Sequence, residues 1–404
     1  MDLLAEKAVA PPAAARRHLS RVFSLEGLGS IGANLLMYGI FFYMQKRFGW
    51  GARRNLLLSS GQGVAYVLGA LSAAPLSQRV HRRTLLVVLH TAMAAIALTS
   101  VCFPNPALLV ALLPLYTMFS AAQWPLLESL ISIDATPDQI SRRISVYNLV
   151  WSGTGAVTVS LCGLVIAHFP QGIFLITVAV HLISLGFLPR LRAPMHNATT
   201  PQLHPEPELL ELRTLAMRLS RIALPATFAV IYALGAIMPT LPVIRSADPE
   251  IRTLLAGVWM IARWFCFILL GVTAWWHTRP RALLVAAAIV LISFVGATLI
   301  DSTISMVLWQ IAMGVAMGLI YSSSLYFGMV LSDGSTVQNA YHEALIGVGS
   351  VLGPGCGALA EIILPGNPHA SVIAVGTILF LSVLAASWVS LQSRPSRRRR
   401  VAAR

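Results

Sequence analysis

Acidic residues are scarce in this chain: 15 Asp and Glu stand among 404 residues, and all charged types together reach only 11%. A soluble protein of this size carries about 25% charged residues, which excludes a water-soluble globule. Cysteine is nearly as rare. Cys102, Cys162, Cys266 and Cys356 show neither a CxxC nor a Cys/His spacing, so no disulfide framework and no metal site are expected. The chain has no GxxxxGK[ST] loop, which removes ATP as a direct energy source. It also lacks an HxxxD sequence and paired acids on one helix face. Enzymes need such groups clustered at one place, so no enzyme activity and no cofactor are expected.

What fills the chain instead is apolar sequence: 56% of it is hydrophobic, with mean hydropathy +0.74. A membrane-spanning helix needs about 20 mostly apolar residues. Twelve runs qualify, near 22–44, 55–78, 84–103, 107–131, 142–167, 171–190, 220–243, 252–274, 281–300, 304–331, 338–363 and 370–391. Strands of a membrane barrel would be shorter and half polar. The pattern predicts an all-α membrane protein of twelve spans.

The net charge of +14 raises the question of nucleic acid, and the placement of the charges answers it. With an even number of spans both termini lie on one side. That side holds 22 of the 29 Lys and Arg, the opposite loops hold six, and Arg263 completes the set. This is the positive-inside pattern, so both termini are expected in the cytoplasm and no nucleic-acid partner is expected. The tail Arg397-Arg398-Arg399-Arg400 suits an anionic inner leaflet of the lipid bilayer. Residues 1–21 lack a cleavage pattern, so the first span is read as an uncleaved insertion signal. Alanine- and arginine-rich usage points to a bacterial inner membrane, and nothing in the sequence calls for more than a monomer.

The spans break once, at 191–219, where Pro194, Pro201, Pro205 and Pro207 gather with several charges. That divides the chain into a short segment 1–21, a six-helix bundle 22–190, a linker 191–219, a second bundle 220–391 and a basic tail 392–404. Residues Glu208 to Leu219 are helix-compatible and could lie along the inner surface. A shift of 194 residues lays Tyr147 over Tyr341, Gly153 over Gly347, Gly155 over Gly349 and Gly163 over Gly357. Spans five and eleven are thus counterparts, which supports two parallel repeats.

This layout resembles the major facilitator superfamily over essentially the whole chain. The family's loop signature between spans two and three, of the type G-x-L-a-D-R-x-G-R-R, is similar to Ala74-Pro75-Leu76-Ser77-Gln78-Arg79-Val80-His81-Arg82-Arg83. Gln78 stands where the family has Asp. The G-x-x-x-G-P-x-x-G-G type motif is similar to Gly349-Ser350-Val351-Leu352-Gly353-Pro354-Gly355-Cys356-Gly357. The resemblance implies alternating access, with spans one, four, seven and ten lining a central cavity and spans two, five, eight and eleven along the interface between halves.

Arg263 is the first site candidate, since it sits inside the eighth apolar run. A charge at bilayer depth costs at least about 2.5–3.5 kcal/mol on insertion scales and marks a function by default. A guanidinium there can clamp a carboxylate, phosphate or sulfate of a small-molecule substrate; the alternative is a structural arginine capping carbonyls or paired with Glu128. Trp259, one turn back, can stack on it. Asn34, Tyr38, Gln123, Tyr232, Gln310 and Tyr321 are polar residues at mid-depth on the cavity spans and are the other substrate-binding candidates. Trp124, Trp151 and Trp309 are candidate walls, and His181 reads as a satisfied structural histidine. Glu26 and Glu128 are the candidates for coupling to protons; another coupling ion stays open. For gating, the resemblance points to the loop at Gln78, Arg79, Arg82 and Arg83; Glu343, expected to pair with Arg79 or Arg82, would supply the charge that Gln78 lacks, with Glu128 serving a remaining arginine. The functional expectation is a transporter of a small solute, an organic anion at Arg263. Efflux of lipophilic compounds is the alternative, with a non-transporting sensor or a membrane enzyme behind it.

Overall fold

The computed structural model describes residues 13–133, 135, 137–192, 207–332 and 336–393, and among them it contains helices and no strand. The first span is α1 (Ala13–Asn34) and α2 (Ile40–Phe48), joined through a π-helical turn at Leu35–Gly39. Then follow α3 (Ala52–Arg79), α4 (Arg82–Cys102), α5 (Pro106–Ile131), α6 (Pro137–His168) and α7 (Gly172–Phe187). The second half holds α8 (Pro207–Ile237), the short α9 (Pro242–Ser246) and α10 (Arg252–Ala256), and α11 (Val258–Val272). It closes with α12 (Ala282–Leu299), α13 (Thr303–Ser332), α14 (Thr336–Ile363) and α15 (Ala370–Gln392). Eleven spans are long and apolar enough to cross a membrane, and α11 is a shorter apolar helix.

Large apolar side chains such as Leu68, Leu161, Leu182, Leu308 and Phe380 stand exposed on the outside of the bundle, while Asn55, Gln62, Ser120 and Gln310 are buried. That inversion suits a hydrocarbon surround, where polar groups must find partners inside. The two halves meet along α3 with α14 and along α6 with α11, which are spans two, eleven, five and eight. Glycine sets the closest approaches between helices. A Cβ on Gly353 would collide with the carbonyl oxygen of Ala229 in α8, as expected where small residues let helix backbones touch.

Three expectations need correction. Span seven does not run to 243: α8 ends at Ile237, and Pro239 and Pro242 start a one-turn 3-10 segment and α9 instead. Proline cannot continue the ladder. Residues from Pro207 onward belong to the same helix as span seven rather than to a separate surface helix. Span eight is not continuous either. It breaks at Gly257 between α10 and α11, and the break has named partners: Gln310 donates to the Leu255 carbonyl at 2.8 Å and Tyr38 to the Ala256 carbonyl at 2.9 Å. The π turn in the first span is met similarly, with Gln62 donating to the Leu36 carbonyl at 2.9 Å. Irregular backbone at membrane depth persists where polar side chains satisfy it.

A central cavity with one guanidinium and a cluster of carboxyls

A cavity of about 120 Å³ lies between the halves, and α1, α3, α5, α6, α8, α11, α13 and α14 all contribute to its wall. Its lining is largely aromatic: Tyr38, Tyr66, Trp124, Tyr147, Trp151, Phe228, Tyr232, Trp259 and Tyr321. The charged groups in that wall are Arg263, Glu26 and Glu343.

Arg263 is only 4% exposed. Its Cζ lies 4.4 Å from the centre of the Trp151 ring and 4.7 Å from that of Trp259. One indole comes from α6 in the first half and the other from the arginine's own helix, one turn away. Such cation–π contacts are worth about 2 kcal/mol or more when desolvated. The guanidinium Nε has no hydrogen-bond partner, and no carboxylate pairs with Arg263 among the described residues. The pairing with Glu128 that a structural role would need is therefore not formed. Its backbone is placed by α13, where a Cβ on Gly314 would collide with the Trp259 carbonyl oxygen and fall 3.0 Å from the Arg263 nitrogen.

The carboxyls gather elsewhere in the same region. Glu343 of α14 accepts a hydrogen bond from the Tyr66 hydroxyl of α3. Its oxygen lies within 4.8 Å of a carboxylate oxygen of Glu128 in α5 and of a ring nitrogen of His342. Glu128 is fully buried, and its carboxyl meets that of Glu343. Glu26 accepts from Ser30 Oγ at 3.1 Å and also meets the Tyr147 hydroxyl. His168 and Glu250 form an ion pair at 2.9 Å on the surface.

The sequence profile of the Major Facilitator Superfamily matches residues 22–354. The chain belongs to the major facilitator superfamily. Among solved structures it is similar to the nucleoside transporter NupG in a mutant form, with a TM-score of 0.65 and 13% identity over 93% of this chain and 98% of that one. It is also similar to the human organic anion transporter MFSD10 (TETRAN), with a TM-score of 0.63 and 13% identity over 93% of this chain and 100% of that one. No curated protein matches it by sequence. At these identities the likeness is one of fold.

Within this transporter fold, Arg263, Trp259, Asn34, Tyr232 and Tyr321 all face the cavity, together with Tyr38, Trp124 and Trp151. Gln310 does not. Its amide is committed to the Leu255 carbonyl and to the Trp259 N–H, at 2.8 and 3.4 Å, because the break in span eight needs a cap. Gln123 is also outside the cavity wall. It is buried against Gly29, where a Cβ would strike its side-chain nitrogen. Trp309 packs over Gly296 instead of lining the cavity. His181 is satisfied on both ring nitrogens, by His90 Nδ1 and the Tyr116 hydroxyl at 3.0 Å each.

The gating set divides. Gln78 and Arg79 are exposed. Arg83 donates to the Pro189 carbonyl at 3.1 Å, a tie within the first half. Arg82 is buried and donates to Thr336 Oγ1 at 3.3 Å, crossing to the start of α14. Glu343 and Glu128 lie in the cluster described above, about two turns into α14 and one turn before the end of α5. Glu343 meets Tyr66 where Arg79 or Arg82 was expected. The sequence reading missed Tyr66, Tyr147 and His342. Tyr147 carried a signal in the repeat, yet its counterpart Tyr341 is 55% exposed, so only one copy serves the cavity.

Proposed function

We propose that this protein carries a small organic anion across the membrane by alternating access, with Arg263 as the anion clamp. The observation that supports it is a buried guanidinium with no carboxylate partner, braced by Trp151 and Trp259 in a cavity lined by both halves. A guanidinium fork without a protein partner has its donors to offer to a carboxylate, phosphate or sulfate. The aromatic wall adds faces for a ring in the cargo. Proton coupling is assigned to Glu26, whose carboxyl lines the cavity beside Tyr147. Cytoplasmic termini follow from the distribution of Lys and Arg, and a bacterial inner-membrane monomer from the alanine- and arginine-rich composition with nothing calling for an oligomer.

A second reading has support from Glu26 and Glu343 in the same wall: they would suit a lipophilic cation, as in multidrug efflux. Ligand charge separates the two. The detergent-purified protein and its Arg263→Gln variant are heated with a metabolite collection sorted by charge. Anions should raise the melting temperature of the wild type and leave Arg263→Gln unmoved. Stabilisation by cations, equal in both proteins, overturns the anion reading and leaves efflux.

A further inference from the structure

Glu128, His342 and Glu343 converge from both halves of the molecule, and the convergence is one of acceptors. One ligand atom from each lies within 4.8 Å of the other two. His342 is 3% exposed, and its Nδ1 shares a 2.9 Å hydrogen bond with Ser324 Oγ. In the tautomer whose Nδ1–H donates to Ser324 Oγ, Nε2, which has no partner, keeps a lone pair to offer. Glu128 is buried too, and the group its carboxyl meets is the Glu343 carboxyl, another acceptor when both are ionised. The Tyr66 hydroxyl donates to Glu343.

Two buried carboxyls side by side need a positive species between them. A proton bridges two atoms, whereas a divalent cation takes three or more ligands at about 2.0–2.2 Å. Three acceptors therefore suit a metal better than a proton, which would leave His342 Nε2 and part of Glu128 orphaned. We propose that Glu128, His342 and Glu343 form a binding site for a divalent transition-metal ion between the two halves. An imidazole beside two carboxylates selects Zn²⁺, Co²⁺ or Mn²⁺ over Mg²⁺ or Ca²⁺, which prefer all-oxygen surroundings. Ser324 is a positioning residue that holds the imidazole by its other nitrogen, as outer partners of metal-bound histidines do. Because Glu128 belongs to α5 and the other two ligands to α14, the ion would tie the halves together in this conformation. Glu343 shares the cavity wall with Arg263, but no step of the argument uses the guanidinium, so the site stands whether or not the cargo is an organic anion.

The test is Co²⁺ titration of the full-length protein in detergent, with any affinity tag removed, read by visible d–d absorption. One equivalent of Co²⁺ should bind, be displaced by Zn²⁺ and resist Mg²⁺. Glu128→Gln and His342→Gln should each abolish the bands, and Ser324→Ala should weaken binding about 10–100-fold. His168→Gln, at an exposed surface position, should leave them intact. Monodispersity and thermal unfolding without metal report whether each variant folds. If His342→Gln misfolds, Zn²⁺-induced stabilisation of wild type but not of Glu128→Gln carries the same information. Bands that persist in Glu128→Gln and His342→Gln, or wild type that binds no Co²⁺ and gains no stability from Zn²⁺, overturn the proposal and leave a shared proton in the cluster.

Discussion

A guanidinium held between indoles keeps its hydrogen-bonding edge free, and a guanidinium held by a carboxylate does not. That difference gives Arg263 its meaning, and it predicts a graded response at this one residue. Arg263→Lys keeps the charge but loses the planar fork and the stacking, so it should retain only part of the anion-induced rise in melting temperature. Arg263→Gln should retain none. Gly314 is the residue on which this geometry leans. Gly314→Ala should cost about 1–3 kcal/mol through overpacking against α11, while Gly376→Ala, with nothing within 4 Å, should be neutral by thermal unfolding. His277, outside the spans, adds a pH effect. Its ring stacks on Tyr326 at 4.3 Å, and burial, followed by the charge of Arg213, lowers it from the usual 6.5. The unfolded chain then takes up a proton before the folded one does, so stability should fall as pH drops below 6.5. Thermal unfolding of His277→Gln should show a flatter pH dependence than wild type.

At the scale of single helices, two irregular segments set the site. The π turn Leu35–Gly39 and the break at Gly257 bring Tyr38 against Ala256 and Trp259, linking the first span to the eighth. Gln62 and Gln310 are the side chains that satisfy the freed carbonyls. Gln310→Leu should therefore destabilise the protein even with no ligand present, by about 0.6 to 1.7 kcal/mol per lost hydrogen bond. It should also weaken anion stabilisation, because Trp259 loses its anchor. Equal ligand response in Gln310→Leu and wild type would count against that anchor. Polarity at mid-span was legible in the sequence, but its purpose was not. A buried glutamine serves a cavity or a broken helix equally well until the neighbouring backbone is seen.

At the scale of the whole molecule, contacts between the halves lie toward both ends of the spans. Arg82 with Thr336 lies at one end of the spans, and Tyr38 with Ala256 toward the other. Removing either should shift the balance of accessible states, as a two-state transporter requires. A cysteine placed at Ser30, in the cavity wall, on a background without other cysteines, reports this. Arg82→Ala should speed its alkylation several-fold from the side bearing the termini. Tyr38→Phe should do so from the opposite side. Unchanged rates in both would mean that these contacts do not hold the halves.

Composition, periodicity and charge placement were enough to determine the class of fold: the bilayer imposes span length, apolar surface and charge bias on the chain itself. The motifs 74–83 and 349–357 carried the family resemblance, and Arg263 announced itself because a charge within an apolar span has few reasons to exist. The tertiary structure alone decided which residues meet. Glu128 and Glu343 are far apart in the chain, and no local spacing joins Glu128 to His342. Glu343 at the start of a span looked like a latch for Arg79 or Arg82, until the packing of α3 on α14 brought Tyr66 to it. Convergence at a cavity is a property of helix packing, and helix packing is fixed by glycine contacts and broken backbone that a single sequence leaves unspecified.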